Sequence, residues 1–495
     1  MASIETAPLI GEKGGVAPKQ GLSLGTVARD IATVGSGTAL AAVFNVLLVF
    51  LIPRLVSVED FGYWRLFLLY AGFAGFLHMG FADGALLRWA GKPLEEFHHE
   101  VAPSLKFLLW QHLAVIVPGA VIAGWLLPPP LNLVGMAALL YSLIFNLAAI
   151  LQFSLQGARI FRPVAVATAA PIGGFVAMAF LGHLRGTPSF RELILLYCIA
   201  WTGVLIYLWV RVRPKWGGSS SGSSWTLGKA LIAVGWPIVL ANGGFGLVQS
   251  ADRLVVSSVL PIREFAQYSL AASTMFVPVA AILAVSKVFF SHVAAVEHEG
   301  RARVYAHASK MLVLAWSLLL PYYFGLEVFV RHFLPKYVPA LPIAAILVLG
   351  VVFLAGIQIL HMNYSYLYGK QRRFLMVTVG MLTLSLAGAV LTAVVLRSLT
   401  AVATGQVAVL AFWWLLNEWN LRFESGQGRR EWGKVWGVFL ISVAAYAVAL
   451  WSRPEIVWRV GIYYMLCFCM LALLCREELR FCWRLATQLN LSGSE

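Results

Sequence analysis

RLVSVEDFGYWRL, residues 54–66, is a short charged stretch between two long apolar segments. It holds two arginines and two carboxylates, and a second stretch, SSVLPIREFAQYSL at residues 257–270, repeats its pattern. With an offset of 204 positions, residues 60–62 align with residues 264–266 as acid, phenylalanine and small residue. Each stretch ends one apolar segment and begins the next. We interpret them as the same helix-to-helix turn, used once in each half of the chain, and call them the first and second hinge.

The composition predicts an integral membrane protein. Of the 495 residues, 60% are hydrophobic and only 12% are charged, and the mean hydropathy is +0.80. Soluble domains carry about 25% charged residues, so most of this surface must face lipid. A transmembrane helix needs about 20 mostly apolar residues, which is the usual length of the apolar segments here. The expected fold class is therefore all-α and membrane-embedded.

About fourteen segments are long and apolar enough to be transmembrane helices. The seventh, at residues 231–260, is too long to cross the membrane perpendicularly and contains Pro237, Gly243 and Gly244, so we expect a kinked or tilted helix. In chain order the segments are 31–53, 62–86, 103–127, 131–155, 164–184, 192–211, 231–260, 264–288, 309–330, 338–362, 374–396, 399–417, 434–452 and 456–475.

The distribution of basic residues predicts that both termini are cytoplasmic. Cytoplasmic loops of membrane proteins carry an excess of lysine and arginine. With fourteen helices and the N-terminus inside, 26 of the 37 basic residues lie in cytoplasmic segments. The opposite orientation would reverse this bias.

A second pair of similar stretches indicates a tandem repeat. QGARIFR at 156–162 and YGKQRRF at 368–374 each place a small residue before basic residues, between the fourth and fifth helices of a half. We therefore predict two six-helix lobes, at 31–211 and 231–417. Because six is an even number, both lobes begin on the same side of the membrane, and the pseudo-two-fold axis that relates them runs along the membrane normal. The remaining parts are a cytoplasmic tail at 1–30, a Gly/Ser linker at 212–230, two further helices at 434–475 and a cytoplasmic tail at 476–495.

The carboxylates of the hinges have a structural explanation. Asp60 and Glu264 are expected at helix N-termini, where a negative charge is stabilised by about 0.3–1 kcal/mol. Gly62 would provide the small residue of a helix-to-helix turn, and Tyr63, Trp64 and Tyr268 are expected to anchor the turns at headgroup depth. The hinge arginines are explained less well in this way.

These features together resemble a known family. The acid-Phe-Gly-x-aromatic pattern after the first long helix, the pair Asp252 and Arg253 in the seventh, and the Gly-basic turn before the eleventh are similar to the polysaccharide-transport (Wzx-type) flippases. These belong to the multidrug/oligosaccharidyl-lipid/polysaccharide exporter (MOP) superfamily. The resemblance covers about residues 28–475. The chain departs from the pattern at Ala266, which aligns with Gly62, and the first two helices lack the arginine pattern of lipid II flippases.

The resemblance implies a two-lobed bundle of 12 to 14 helices in the bacterial inner membrane, acting as a monomer without a cofactor or metal ion. Its substrate would be an undecaprenyl-pyrophosphate-linked oligosaccharide, moved from the cytoplasmic to the outer leaflet by alternating access for O-antigen, capsule or exopolysaccharide synthesis. Its partners would be membrane lipids, a polysaccharide polymerase and a chain-length regulator, and no nucleic acid. The last two helices would flank a lipid-facing groove for the polyprenyl tail.

Charged residues within apolar segments are candidates for the substrate site, because a charge at the bilayer centre costs at least about 2.5–3.5 kcal/mol. Arginine suits a pyrophosphate because it offers two parallel donors and stays protonated. Asp83 and Asp252 are the carboxylates expected to balance the positive charge. The candidate pyrophosphate-binding residues are Arg54, Arg65, Arg88, Arg253 and Lys287.

Simpler explanations remain open for these residues. The four outlying basic residues could reach lipid phosphates from the helix ends, as long basic side chains commonly do. Asp252 and Arg253 could be a structural pair. Glu418, which has Trp414 and Trp419 close to it in sequence, is expected at the inner interface.

Two other classes of function are considered. A cation-coupled multidrug or lipid II exporter of the same superfamily is the first. A drug antiporter would need carboxylates in the cavity with few arginines, whereas here basic residues outnumber them. A membrane-embedded polymerase or glycosyltransferase is the second, and it would need catalytic carboxylates or a large outer loop, whereas the predicted outer loops are short. We therefore expect a transporter and not an enzyme.

Overall fold

The computed structural model describes residues 24–215, 224–275, 293, 298–425, 429–452 and 455–474, and the regular structure within these ranges is entirely helical. Short 3₁₀ segments lie at Ala74–His78, Pro335–Ala340 and Val348–Gly350, and π-helical segments at Ile357–His361 and Leu391–Val395. The α-helices are α1 Leu24–Leu55, α2 Val58–Ala71, α3 Phe81–Trp89, α4 Leu94–Leu126, α5 Leu131–Gly157, α6 Phe161–His183, α7 Phe190–Val212, α8 Ser224–Val259, α9 Ile262–Thr274, α10 His298–Leu319, α11 Tyr322–Phe333, α12 Leu341–Leu347, α13 Val351–Gly356, α14 Met362–Leu367, α15 Gln371–Val390, α16 Leu399–Ser425, α17 Arg429–Trp451 and α18 Ile456–Leu474.

The predicted all-α membrane fold is confirmed. Among the described residues, ten helical units are long and apolar enough to cross a membrane, and up to twelve if each of two bent pairs is one span. The count of fourteen stays a prediction. Much of the eighth predicted segment lies outside the described residues, as does most of the Gly/Ser linker, and the apolar part of α18, Ile456–Phe468, is shorter than a span.

Helix packing recurs between the two halves. The first and fifth helices of a half pack along each other, as α1 on α6 and as α8 on α15. The fourth and sixth do the same, as α5 on α7 and as α12 on α16. This recurrence agrees with the predicted tandem repeat, while the pseudo-two-fold axis itself stays a prediction.

The two small-basic turns have the same backbone conformation. The N–H of Ile160 donates to the carbonyl of Leu155 (2.8 Å), with Arg159 in the left-handed region at φ 61°. The N–H of Lys370 likewise donates to the carbonyl five residues before it (2.7 Å), with Gly369 at φ 67°. A bond across five residues with a left-handed residue before the donor is the Schellman helix end. The sequence similarity therefore corresponds to one turn built twice.

Both hinges place acidic residues at helix N-termini, as predicted. Glu59 and Asp60 lie in the first turn of α2, and Glu264 lies in the first turn of α9. The backbone N–H of Asp60 donates to the Ser57 side chain (3.0 Å), and its carboxylate accepts the N–H of Phe190 at the start of α7 (3.0 Å). The hinge carboxylates thus stabilise helix N-termini.

The first hinge packs directly against the second. A Cβ atom at Gly62 would overlap the carbonyl oxygen of Ile262, so the backbones of α2 and α9 approach too closely for any side chain at this position. Glu59 and Arg263 also lie within ion-pair distance, at 4.0 Å. The two halves therefore meet at one end of the bundle, which we call the hinge end.

The prediction that Trp64 and Tyr268 are headgroup anchors is wrong. Trp64 is buried among aromatic rings and stacks on Phe175 with centroids 4.9 Å apart. Tyr268 is fully buried, and its hydroxyl donates to Asp252 (2.6 Å). Both side chains face the protein interior because they lie on the faces of α2 and α9 that pack against other helices.

The second and seventh membrane segments are both bent. Helix α2 and the 3₁₀ segment Ala74–His78 meet α3 at 58°, and Gly80 at φ 83° forms this break. Helix α8 bends by 50° between Leu240 and Gly243, which confirms the expected kink. The two bends lie opposite each other, and the space between them is the candidate site.

The last two helices pack on the C-terminal half. The hydroxyl of Tyr463 donates to the carbonyl of Ser317 (2.6 Å), and the Ser317 and Ser442 side chains are hydrogen-bonded (2.7 Å). Arg459 of α18 binds Glu327 of α11 (2.6 Å). Helices α17 and α18 are therefore fastened along the face made by α10 and α11.

Candidate functional site

A cavity of about 400 Å³ lies between the bent second segment and α8. Its wall from the first half consists of α2, the 3₁₀ segment and the start of α3, and its wall from the second half is α8. Four polar side chains line it, which are His78, Asp83, Ser250 and Arg253. The cavity therefore lies where the two halves of the chain meet.

Close backbone contacts join the two halves away from the hinge end. A Cβ at Gly235 of α8 would overlap the carbonyl of Gly80, and a Cβ at Gly84 would overlap the carbonyl of Leu231. These glycines let α3 and α8 touch through their backbones. The cavity therefore lies between two close contacts of the halves, with Gly62 at one end and Gly80, Gly84 and Gly235 at the other.

Arg253 is a buried cation at the edge of the cavity. Its guanidinium donates to the side chain of Ser250 (2.9 Å) and to the carbonyl of Gln249 (3.1 Å). Both acceptors belong to the preceding turn of α8, so the helix itself holds the side chain in place. This placement agrees with the prediction that Arg253 lines a cavity between the two halves.

Arg65 brings a second cation from the other half. It lies on α2 one turn before Leu68 and Leu69, which line the cavity. Its Nε atom is buried and has no hydrogen-bond partner among the described residues. Its guanidinium is close enough to that of Arg253 for the two charges to repel each other.

Asp252 supplies negative charge next to Arg253. It is only 3% exposed, and its carboxylate accepts the Tyr268 hydroxyl (2.6 Å) and the backbone N–H of Arg253 (2.7 Å). It also borders a second, smaller cavity, together with Gln249 and Gln406. Asp252 is not among the residues that line the main cavity, so of this pair only Arg253 lines it.

His78 and Asp83 form a weaker pair on the opposite wall. The Nδ1 atom of His78 accepts the N–H of Gly80 (3.0 Å), and its Nε2 atom lies 3.7 Å from the Asp83 carboxylate. Because Nδ1 is an acceptor, the neutral ring carries its proton on Nε2, which faces Asp83. The sequence interpretation included Asp83 but missed His78, although an ionisable residue in an apolar segment was a usable signal.

Side chains of α4 and α5 hold the broken segment. The break leaves carbonyl oxygens without helical partners. Asn146 donates to the carbonyl of Ala74 (2.8 Å), and Gln111 donates to that of Leu77 (3.2 Å). The bend that shapes the cavity is therefore satisfied by polar groups from two neighbouring helices.

The structure does not bring Arg54 or Arg88 to the cavity. Arg54 is exposed at the end of α1, with its guanidinium 5.9 Å from the ring centre of Phe333. Arg88 forms a two-point ion pair with Glu100, with distances of 2.8 and 2.9 Å. Both lie at helix ends, beyond the stretch of helix that lines the cavity. Lys287 lies outside the described residues.

Glu418 is not at an interface, contrary to expectation. It is only 7% exposed and accepts hydrogen bonds from Tyr305 (2.7 Å) and His361 (2.9 Å). The neighbouring Trp414 is also buried, against Trp436 of α17. Tyr305 of α10 and His361 of the π-helical segment pack against Glu418, and they place this part of α16 in the protein interior.

Comparisons with known proteins agree with this architecture. Residues 126–338 match the family model described as "Polysaccharide biosynthesis protein". A solved lipid II flippase, MurJ in an inward closed conformation, superposes with a TM-score of 0.65 at 13% identity, covering 91% of this chain and 100% of that one. An inward-facing multidrug transporter of the MATE family superposes with a TM-score of 0.55 at 12% identity, covering 79% and 96%. A search of curated proteins finds no match.

The chain therefore has the fold of the MOP-superfamily transporters and is a multi-pass membrane protein. The match of residues 126–338 to a polysaccharide biosynthesis family supports the resemblance that the sequence predicted.

Proposed function

We propose that this multi-pass membrane protein, with its MOP-superfamily transporter fold, translocates a polyprenyl-pyrophosphate-linked oligosaccharide across the bacterial inner membrane. The pyrophosphate binds in the cavity between α2 and α8, and the two halves move about it in alternating access. The substrate class comes from the resemblance of the hinges and from the polysaccharide-biosynthesis family match. The charge of the cavity supports the same assignment.

The observation that carries the proposal is the pair Arg65 and Arg253. They come from different halves of the chain, and their guanidinium groups repel each other inside a membrane protein. Like charges interact strongly where the dielectric constant is low, so holding both costs free energy. A dianionic group between them would convert that repulsion into attraction.

A pyrophosphate fits this requirement. Arginine binds phosphate oxygens through two parallel N–H bonds and stays protonated in a buried site. Because each arginine belongs to its own half, an anion that bridges them binds the closed arrangement better than an open one. Such a difference in affinity is what a ligand needs in order to shift a conformational equilibrium.

The cavity size indicates which part of the substrate is held in this conformation. A volume of about 400 Å³ is at the lower end of the roughly 300–1,000 Å³ of small-molecule pockets. It accommodates a pyrophosphate and an adjoining sugar, but not several sugars. Translocation of the glycan therefore requires α3 and α8 to separate at Gly80, Gly84 and Gly235.

The remaining parts of the chain are given roles that fit this proposed translocation. Both termini are placed in the cytoplasm, in line with the distribution of basic residues. The protein acts as a monomer that delivers its product to a polysaccharide polymerase and a chain-length regulator. Helices α17 and α18 are assigned to the polyprenyl tail, which would stay in lipid beside them.

The test is lipid binding by the purified protein, measured by native mass spectrometry. Undecaprenyl pyrophosphate should bind more tightly than undecaprenyl monophosphate. Arg65→Ala and Arg253→Ala should each weaken the pyrophosphate complex by roughly 10- to 100-fold, as expected for loss of one charge-assisted contact. Arg54→Ala, which removes an exposed arginine outside the cavity, is the control and should not weaken it. Equal binding of the two lipids, or equal losses in all three variants, would refute the proposal.

A further inference from the structure

The cavity between the two halves has polar side chains at both ends. Arg253 lies towards the hinge end, close to the end of α8. His78 and Asp83 lie at the other end, on either side of Gly80, where the Gly80 carbonyl approaches Gly235. We propose that His78 and Asp83 bind a hydroxyl group of the first sugar, the one joined to the pyrophosphate, and select a neutral sugar. This inference rests on the proposed function, in which the arginines take the pyrophosphate.

His78 and Asp83 present a donor and an acceptor that are too far apart to bond each other. Nδ1 of His78 accepts the N–H of Gly80 (3.0 Å), so the neutral ring carries its proton on Nε2. Nε2 lies 3.7 Å from the Asp83 carboxylate, which is beyond hydrogen-bond distance. A hydroxyl oxygen accepts one hydrogen bond and donates another. A single sugar hydroxyl can therefore accept from His78 and donate to Asp83.

Both side chains are fixed in position and can be reached from the cavity. His78 is only 6% exposed and is held through its bond to the Gly80 N–H. Asp83 lies in the first turn of α3, where the positive end of the helix dipole stabilises a carboxylate. The Asp83 side chain is still 22% exposed, and both residues line the cavity. The pair is therefore a preformed site on the wall opposite α8.

Two phenylalanine rings lie between the two ends of the cavity. Phe73 and Phe76 line it, and their ring centroids are 6.2 Å apart. Gly243 of α8 makes room for Phe76, because a Cβ atom there would overlap the ring. The C–H groups on one face of a sugar are apolar and weakly positive, so they pack well on the electron-rich face of an aromatic ring. The wall between Arg253 and His78 therefore suits a sugar ring.

The charge at the His78 end of the cavity disfavours an acidic sugar. An ionised Asp83 offers only acceptors. The carboxylate of a uronic acid would face it in a space of low dielectric constant, where like charges repel strongly. A site becomes specific when it disfavours the wrong ligand as well as binding the right one. We therefore expect a neutral first sugar with a free hydroxyl.

Native mass spectrometry of the purified protein with three lipids tests this site. The lipids are undecaprenyl pyrophosphate and its conjugates with one neutral hexose and with one hexuronic acid. In the wild type, the hexose should strengthen binding by roughly 10-fold over the bare pyrophosphate, because it adds hydrogen bonds to His78 and Asp83. The hexuronic acid conjugate should bind more weakly than the hexose conjugate by roughly 10-fold or more, because of the repulsion from Asp83.

Two conservative variants should remove these differences selectively. His78→Asn keeps an acceptor near the Gly80 N–H but lacks the Nε2 donor, so it should abolish most of the hexose advantage. Asp83→Asn removes the charge at nearly the same volume, so it should abolish most of the discrimination against the hexuronic acid. Neither variant should weaken binding of the bare pyrophosphate. Arg253→Ala is the matched control, because it should weaken binding of all three lipids and keep the hexose advantage.

The outcomes separate this site from the proposed function. An equal hexose advantage in the wild type and His78→Asn, or equal wild-type binding of the two conjugates, would overturn the sugar site and leave the pyrophosphate site standing. Equal weakening of the bare pyrophosphate and the hexose conjugate by His78→Asn would also overturn it, because that is the result of a purely structural role. Binding of the bare pyrophosphate that does not depend on Arg65 or Arg253 would contradict the proposed function, while the hexose advantage would still test His78 and Asp83.

Discussion

Gly235→Ala should open the contact between α3 and α8. The added Cβ would overlap the Gly80 carbonyl oxygen and crowd the Gly84 nitrogen. These are backbone atoms, which cannot rotate away as a side chain would, so the two helices must separate. Overpacking of this kind costs about 1–3 kcal/mol. If the contact exists only in the conformation described here, the equilibrium should shift towards the open state by roughly 5- to 150-fold.

Cysteine labelling measures this shift. Ser250 lines the cavity, so Ser250→Cys, in a background whose five native cysteines are replaced, reports the population with an open cavity. A charged maleimide should label it roughly 5- to 150-fold faster when Gly235→Ala is added. Gly246→Ala is the control, because it adds the same atom to the same helix where nothing lies within 4 Å. An unchanged rate in the folded Gly235→Ala protein, or an equal increase in the control, would refute the reasoning.

Three further variants test other parts of the structure. Arg253→Lys should recover only part of the lipid binding lost in Arg253→Ala, since an ammonium lacks the two-point geometry of arginine; full recovery in the mass-spectrometric assay would contradict bidentate binding. Tyr268→Phe removes a hydrogen bond to the buried Asp252 and should lower the free energy of unfolding by about 1.5–3 kcal/mol. Denaturant titration in detergent measures this change, and no loss would mean that the carboxylate finds another donor. Arg459→Gln leaves Glu327 with Arg331 alone and should destabilise the packing of α18 by up to about 3–5 kcal/mol. The C-terminal helices should then be proteolysed faster. Wild-type resistance would show that the contacts of Tyr463, Ser317 and Ser442 suffice to hold α18.

The helix turns were the most predictable part of the fold. The hinge pattern at residues 60–62 predicted an acidic residue at a helix N-terminus. The structure places Asp60 in the first turn of α2, and its carboxylate accepts the N–H of Phe190. The small-basic turns predicted a repeated helix end and are two Schellman motifs. Local backbone chemistry determines such features, so a short stretch of sequence is sufficient to predict them.

The shape of the cavity was not predictable in the same way. The break at Gly80 lies inside a continuous apolar segment, and glycines are tolerated within membrane helices. Only the approach of α8 at Gly235 and the support of Asn146 from α5 explain the break. These are contacts between residues far apart in sequence, which the sequence of one segment does not contain.

The candidate charged residues differ in how well the sequence predicted them, for the same reason. Burial of Asp252 and Arg253 followed from their place in the middle of an apolar segment. The pairing of Arg88 with Glu100 depends on how α3 and α4 meet. The burial of Glu418 depends on its contacts with Tyr305 of α10 and with His361. Sequence position indicated which residues are costly to place in a membrane, and helix packing decided which of them share a site.

Translocation by purified protein tests the central claim most directly. The measurement is the rate at which a fluorescent polyprenyl-pyrophosphate-linked oligosaccharide becomes accessible on the opposite leaflet of proteoliposomes. The wild type should exceed protein-free vesicles, and the double variant Arg65→Ala, Arg253→Ala should lose most of that rate while Arg54→Ala retains it at equal protein content. A wild-type rate in the double variant, or no translocation above protein-free vesicles by the wild type, would contradict an arginine-lined route for a pyrophosphate-linked glycan.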